Sequence, residues 1–122
     1  MARTFAEIEV SNIEVTKLVR MEAIIDSNAG TSALLPTKLA EETGILNDCK
    51  DTKVSVGDKI LVAKRCSAFL RLKGKEFLGP VFIAEWVDKP TVGRFALEAM
   101  GLKVNPETGE LEDTQLYMYS ET

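Results

Sequence analysis

Residues 22–45 read EAIIDSNAGTSALLPTKLAEETGI, and the order of features in this stretch decides the fold. An apolar run ends in an acid, Asp26. A polar segment of small residues follows, then Leu-Pro at Leu35 and Pro36, then a short amphipathic segment closed by Gly44. Pro36 suits the first position of a helix because its missing N–H would have no partner there. Leu39, Ala40 and Thr43 fall on one side of that helix, and Gly44 supplies the left-handed residue that ends it after about two turns. The reading is strand, loop with an acid, and helix.

Working outward, Phe5 to Val10 alternates apolar and acidic residues, and Val15 to Ile25 is rich in aliphatic and β-branched side chains, so two strands lead into Asp26. Beyond the helix, Lys53 to Ile83 is mostly strand. KVSV is followed by a turn at Gly57 and Asp58, ILVAKRCSAFLRL by a tight turn around Gly74, and then comes EFLGPVFIAEW. Residues 93–100, GRFALEAM, form a second short helix with Phe95, Ala96, Ala99 and Met100 apolar and Gly101 closing it. Leu102 to Val104 reads as a strand, NPETGE as a turn and LYMY as a last strand. The 122 residues make one mostly β domain with two small helices, without an internal repeat or linker.

Composition narrows the chemistry. Fifteen basic against nineteen acidic residues leave a net charge of -4, which repels polyphosphate and argues against a nucleic-acid partner. The densest basic group, Lys64, Arg65, Arg71, Lys73 and Lys75, has the spacing of solvent-facing strand positions. No apolar run reaches the roughly 20 residues that cross a bilayer, and MARTFAEIEV lacks the pattern of a secretory leader, so a cytoplasmic protein without a membrane partner is expected. With no histidine in the chain, Ser/His and Cys/His nucleophiles are excluded, and chemistry has to rest on carboxylates, lysines or hydroxyls. Neither glycine-rich phosphate motif occurs. Cys49 and Cys66 read as free thiols, with no zinc site and no disulfide framework, and neither metal nor cofactor is expected.

Two separated segments carry a resemblance. EAIIDSNAGTSALLPTKLAEETGI is similar to the pattern of apolar residues, Asp-Thr/Ser-Gly-Ala, Leu-Pro and short helix found in retropepsin-like (clan AA) aspartic proteases. TVGRFALEAMGLKVNPETGEL resembles their second motif of apolar pair, Gly, Arg, apolar helix, Gly-Leu, strand and turn. The likeness spans roughly residues 15–112 and is to the single-domain bacterial and archaeal type. It implies an acid-protease barrel half with two short helices, whose active-site cleft is completed by a homodimer.

By that resemblance Asp26 is the catalytic acid and Ser27 the hydroxyl that bonds across the two-fold axis. Asn28, Ala29 and Gly30 form the active-site loop, Gly57 and Asp58 the tip of a flap, and Gly93 and Arg94 the support of the second motif. It implies an aspartic endopeptidase acting on polypeptide, in which two carboxylates share one proton because like charges that close cannot both ionise. One chain carries only half of such a pair. The loop departs from the family in having DSNAG for DTGA. Asn28 stands where the family has glycine, and nine residues separate Asp26 from Pro36, one more than usual. Either Asn28 is an insertion, or Gly30 takes the permissive role in a rebuilt turn. The acid that usually pairs the Arg is replaced, since Gly30 and Thr31 occupy its neighbourhood. The alternatives are a catalytically inactive dimer of the same fold that binds extended peptide, and a small β-barrel interaction module unrelated to the family.

Overall fold

In the first strand, β1 (Thr4–Ser11), Ile8 and Val10 are buried while Glu7 and Glu9 turn outward. This is the period of two expected of a strand with one face on a core. It pairs antiparallel along its whole length with β2 (Leu18–Asp26). This computed structural model describes residues 4–114, which contain nine strands and two α-helices; the expected LYMY strand lies outside the described residues.

After β2 come β3 (Ala33–Pro36), α1 (Thr37–Thr43), a 3-10 turn at Ile45–Asp48, β4 (Lys50–Val56), β5 (Lys59–Leu72) and β6 (Lys75–Ala84). The chain continues with β7 (Thr91–Gly93), α2 (Arg94–Met100), β8 (Leu102–Val104) and β9 (Leu111–Asp113). Strands make up 55% of the described chain, so the mostly β reading holds. Seven strands lie in the order β1-β2-β7-β3-β6-β5-β4, and β1 also pairs with β5, so six of them close into a barrel and β4 hangs outside it on β5. Closure removes the free sheet edges that β1 and the Phe69–Leu72 part of β5 would otherwise expose.

Both helices form in the expected segments, although Pro36 is the extended residue that ends β3 and caps α1 rather than its first helical residue. α1 buries Leu39, Ala40 and Thr43 and ends on Gly44 at φ 76°. α2 ends on Gly101 at φ 71°, but it packs on the core through Ala96, Leu97 and Met100, while Phe95 is exposed and meets Phe77 edge-on. The two short strands β3 and β7 are the main departure from the sequence reading. β3 runs parallel to β6, and β7 runs parallel to β2 and antiparallel to β3, so the chain after the acid loop is threaded into the barrel wall.

The hairpins follow their turn residues. Lys73 and Gly74 both have positive φ between Leu72 and Lys75, the conformation of a two-residue turn whose twist matches its strands. Gly57 at φ 64° opens the turn between Val56 and Lys59. The core fills the barrel with aliphatic side chains, among them Ile8, Leu35, Leu70, Val81 and Val92, each at most 1% exposed. Among the described residues no helix is long and apolar enough to cross a membrane.

The cysteines overturn the free-thiol expectation. Cys49 and Cys66 form a disulfide. The β4–β5 register runs from Val56 opposite Lys59 to Lys50 opposite Arg65, so the next facing pair is Cys49 and Cys66, with Cα atoms 4.4 Å apart. Seventeen residues of sequence hide a cross-strand contact that only the hairpin register creates.

Candidate active-site cleft

Strand geometry aims Asp26. In β2 Ala23 and Ile25 point into the core, so the alternate residues Ile24 and Asp26 face the other way, and Asp26 is the last residue before the chain leaves the sheet. The loop then turns back on itself, with Ala29 N–H donating to the Asp26 carbonyl at 3.1 Å. The Asn28 N–H donates to Asp26 Oδ1 at 3.0 Å, which fixes the carboxylate against its own loop.

The loop is clamped from below by the second motif. Gly93 N–H donates to Ser32 O at 2.8 Å, Arg94 N–H to Ala29 O at 2.8 Å and Phe95 N–H to Thr31 O at 3.2 Å. Asp26 is itself opposite Gly93 in the parallel β2–β7 ladder. A Cβ on Gly93 would lie 2.1 Å from Thr31 O and 2.9 Å from Ala29 O, so backbone fills the space where any side chain would go. Gly93 has φ -100°, an ordinary value, and is required for room alone. Ser32 Oγ adds a hydrogen bond to Pro80 O, tying the loop's far end to β6.

Neither Asn28 nor Gly30 has positive φ, so of the two alternatives for this loop the one in which Gly30 takes a permissive role is not met. The Asx turn at Asp26 and the three bonds to residues 93–95 shape it instead.

Asp26 opens into a cleft of about 780 Å³. Its floor is Asp26 with Ala29, Gly30 and Thr31, its sides include Leu34, Phe82 and Thr91, and its roof is Val54 to Gly57 of the β4–β5 hairpin. Of the residues expected from sequence, Asp26, Ala29, Gly30 and Gly57 meet around this one cleft. Ser27 and Asn28 are exposed on the outer side of the loop, Asp58 is exposed at the hairpin tip and does not line the cleft, and Gly93 is buried beneath. Arg94 is exposed, its Nη2 3.6 Å from where a Gly30 Cβ would be, and it makes no ion pair among the described residues.

The sequence reading missed the apolar walls. Val54 and Val56 were legible as same-face residues two apart in KVSV; Leu34 and Phe82 were not, because only the parallel β3–β6 pairing sets them opposite each other. Thr31 Oγ1 is buried at the cleft floor without a hydrogen-bond partner among the described residues. Among the described residues no group of three or more carboxylates or thiols converges as a metal site would require. No protein-family profile matches this chain, and no curated protein sequence matches it significantly.

Proposed function

We propose that two copies of this chain form a retropepsin-like aspartic endopeptidase, with Asp26 of each copy meeting at a shared two-fold axis. The observation that carries this reading is the placement of Asp26: a strand-end carboxylate, fixed by its own loop, at the floor of a cleft roofed by a β-hairpin. A single carboxylate in that position is half of a working pair. With two, one is ionised and takes a proton from water while the other, protonated, hydrogen-bonds the peptide carbonyl as water attacks it. Apolar side chains at Leu34, Val54, Val56 and Phe82 offer an extended peptide surface to bury, and the hairpin above them limits the entry of bulk water.

A second reading keeps the dimer and the cleft without the chemistry. It is favoured by the bond from Asn28 N–H to Asp26 Oδ1, which is also the bond of an ordinary turn aspartate. Peptide would then add as a strand along the cleft and leave intact.

Sedimentation at tens of micromolar tests the first requirement, since a monomer cannot assemble the pair. Cleavage of a peptide library between about pH 4 and 7 tests the second, with Asp26→Asn and an aspartic-protease inhibitor as controls. Turnover abolished by Asp26→Asn is expected. Turnover unaffected by that change removes Asp26 from the mechanism, and peptide binding without turnover selects the second reading.

A further inference from the structure

The hairpin that roofs the cleft is held in an unusual way. Among the described residues β4 is the outermost strand of the sheet and pairs only with β5. β5 in turn pairs with β6 from Lys64 onward, so residues 52–63 project from the barrel as a two-stranded arm. A two-stranded ribbon is marginal on its own in water.

Few contacts root the arm. Val54 and Leu34 pack on a small cluster of Ala63, Ala84 and Val87, separate from the barrel core, and the Trp86 indole N–H donates to Val62 O at 3.0 Å. The Lys64–Asp51 pair at 3.0 Å is solvent-exposed and adds little. Ile60 and Val62 are 71% and 65% exposed, so burial does not anchor the β5 side of the tip. Beside the β4–β5 ladder itself and the packing of Leu46 and Cys49 on the barrel core, the restraint at the arm's base is covalent: the Cys49–Cys66 disulfide ties the first residue before β4 to the middle of β5, at the point where the arm leaves the barrel.

We propose that this disulfide is a redox latch on the cleft roof: oxidised, it keeps β4 in register against β5; reduced, it lets β4 peel away and opens the cleft. The proposal rests on the reading of that cleft as the binding site.

The step needs a dithiol reductant. Cys66 is 2% exposed and Cys49 half-buried, so an incoming thiolate attacks Cys49 Sγ, the Cys49–Cys66 bond breaks, and Cys66 leaves as a thiolate that takes up a proton. The second thiolate of the dithiol attacks its own sulfur in the mixed disulfide, releasing Cys49, which is likewise protonated. The reductant ends as a disulfide, having supplied two electrons, and the two cysteines have gained two hydrogens. Reoxidation reverses each step.

Amide hydrogen exchange on the 122-residue chain, air-oxidised and then treated with dithiothreitol, tests this without any substrate. Thiol alkylation and intact mass first establish the oxidised state; a chain that carries two free thiols after mild oxidation overturns the proposal. Peptides covering residues 52–63 are expected to exchange about tenfold or more faster after reduction, while those covering Ile8–Val10 and Leu70–Leu72 keep their protection. Unchanged exchange in the arm, or a rise spread evenly over the barrel, overturns the latch. The Cys49→Ala variant leaves the buried Cys66 in place and is expected to show fast arm exchange with or without dithiothreitol. A response to reductant that persists in it also overturns the assignment. Because exchange is read without catalysis, a chain that cleaves nothing leaves the latch standing, and a failed latch leaves the role of Asp26 to its own test.

Discussion

Replacing Gly93 with alanine tests the account of how Asp26 is held. The new methyl would sit 2.1 Å from Thr31 O and 2.9 Å from Ala29 O. A carbon and a carbonyl oxygen settle at about 3.3 Å or more, so the 29–32 loop has to retreat by roughly 1 Å from β7. That retreat stretches the three hydrogen bonds joining residues 93–95 to the loop, now 2.8, 2.8 and 3.2 Å, beyond useful length. At a net value near 1 kcal/mol each, their loss costs about 3 kcal/mol. Alanine narrows the unfolded ensemble and returns about 0.4–1 kcal/mol, leaving a net loss of about 2–3 kcal/mol. In a domain of this size that lowers Tm by about 10 °C. Gly30→Ala is the matched control: its Cβ would meet only Arg94 Nη2, at an ordinary 3.6 Å, and its φ is not positive, so a change within about 0.5 kcal/mol is expected. Urea unfolding of both variants decides the matter. A Gly93→Ala loss below about 1 kcal/mol, or an equal loss in Gly30→Ala, refutes the clamp.

Two further predictions concern the barrel. Ser11 is fully buried with its hydroxyl unpartnered among the described residues, so Ser11→Ala is expected to stabilise the chain by about 1 kcal/mol in urea unfolding; a loss would mean that the hydroxyl has a partner. The Glu9 carboxylate accepts from Arg20 Nη2 and Arg71 Nη1, both at 3.0 Å, and these bonds, Arg20 first, hold its pKa below the ordinary glutamate value. A depressed folded pKa contributes stability above the unfolded value, near 4.5, that is lost as pH falls through the folded pKa, so Glu9→Gln should flatten the decline of the urea midpoint below about pH 4.5. Parallel wild-type and Glu9→Gln curves would contradict this.

The legible parts of the fold were those governed by neighbours in sequence. α1 with its buried Leu39, Ala40 and Thr43 and its Gly44 cap was readable because a helix is closed by residues three and four apart. The turns at Gly57 and Gly74 were readable because two residues with the right φ suffice to make them. The position of Asp26 between an apolar strand and a short helix was also plain. In α2 the same local logic was incomplete: an apolar helix of seven residues shows which side chains are greasy, but the barrel chooses Leu97 over Phe95 for the core.

By itself, then, the sequence determined a mostly β domain, two capped helices, two tight hairpins and an acid at a strand end. Tertiary structure decided what those elements meet. The parallel pairings of β3 and β7, three to four residues long and without a pattern of their own, come from barrel closure and set Gly93 under the acid loop. The loop's shape comes from the backbone bonds of residues 93–95 rather than from a glycine within it. The pairing of Cys49 with Cys66 comes from the register of a long hairpin. Each depends on contacts between residues distant in the chain, whose geometry is fixed only when the barrel closes.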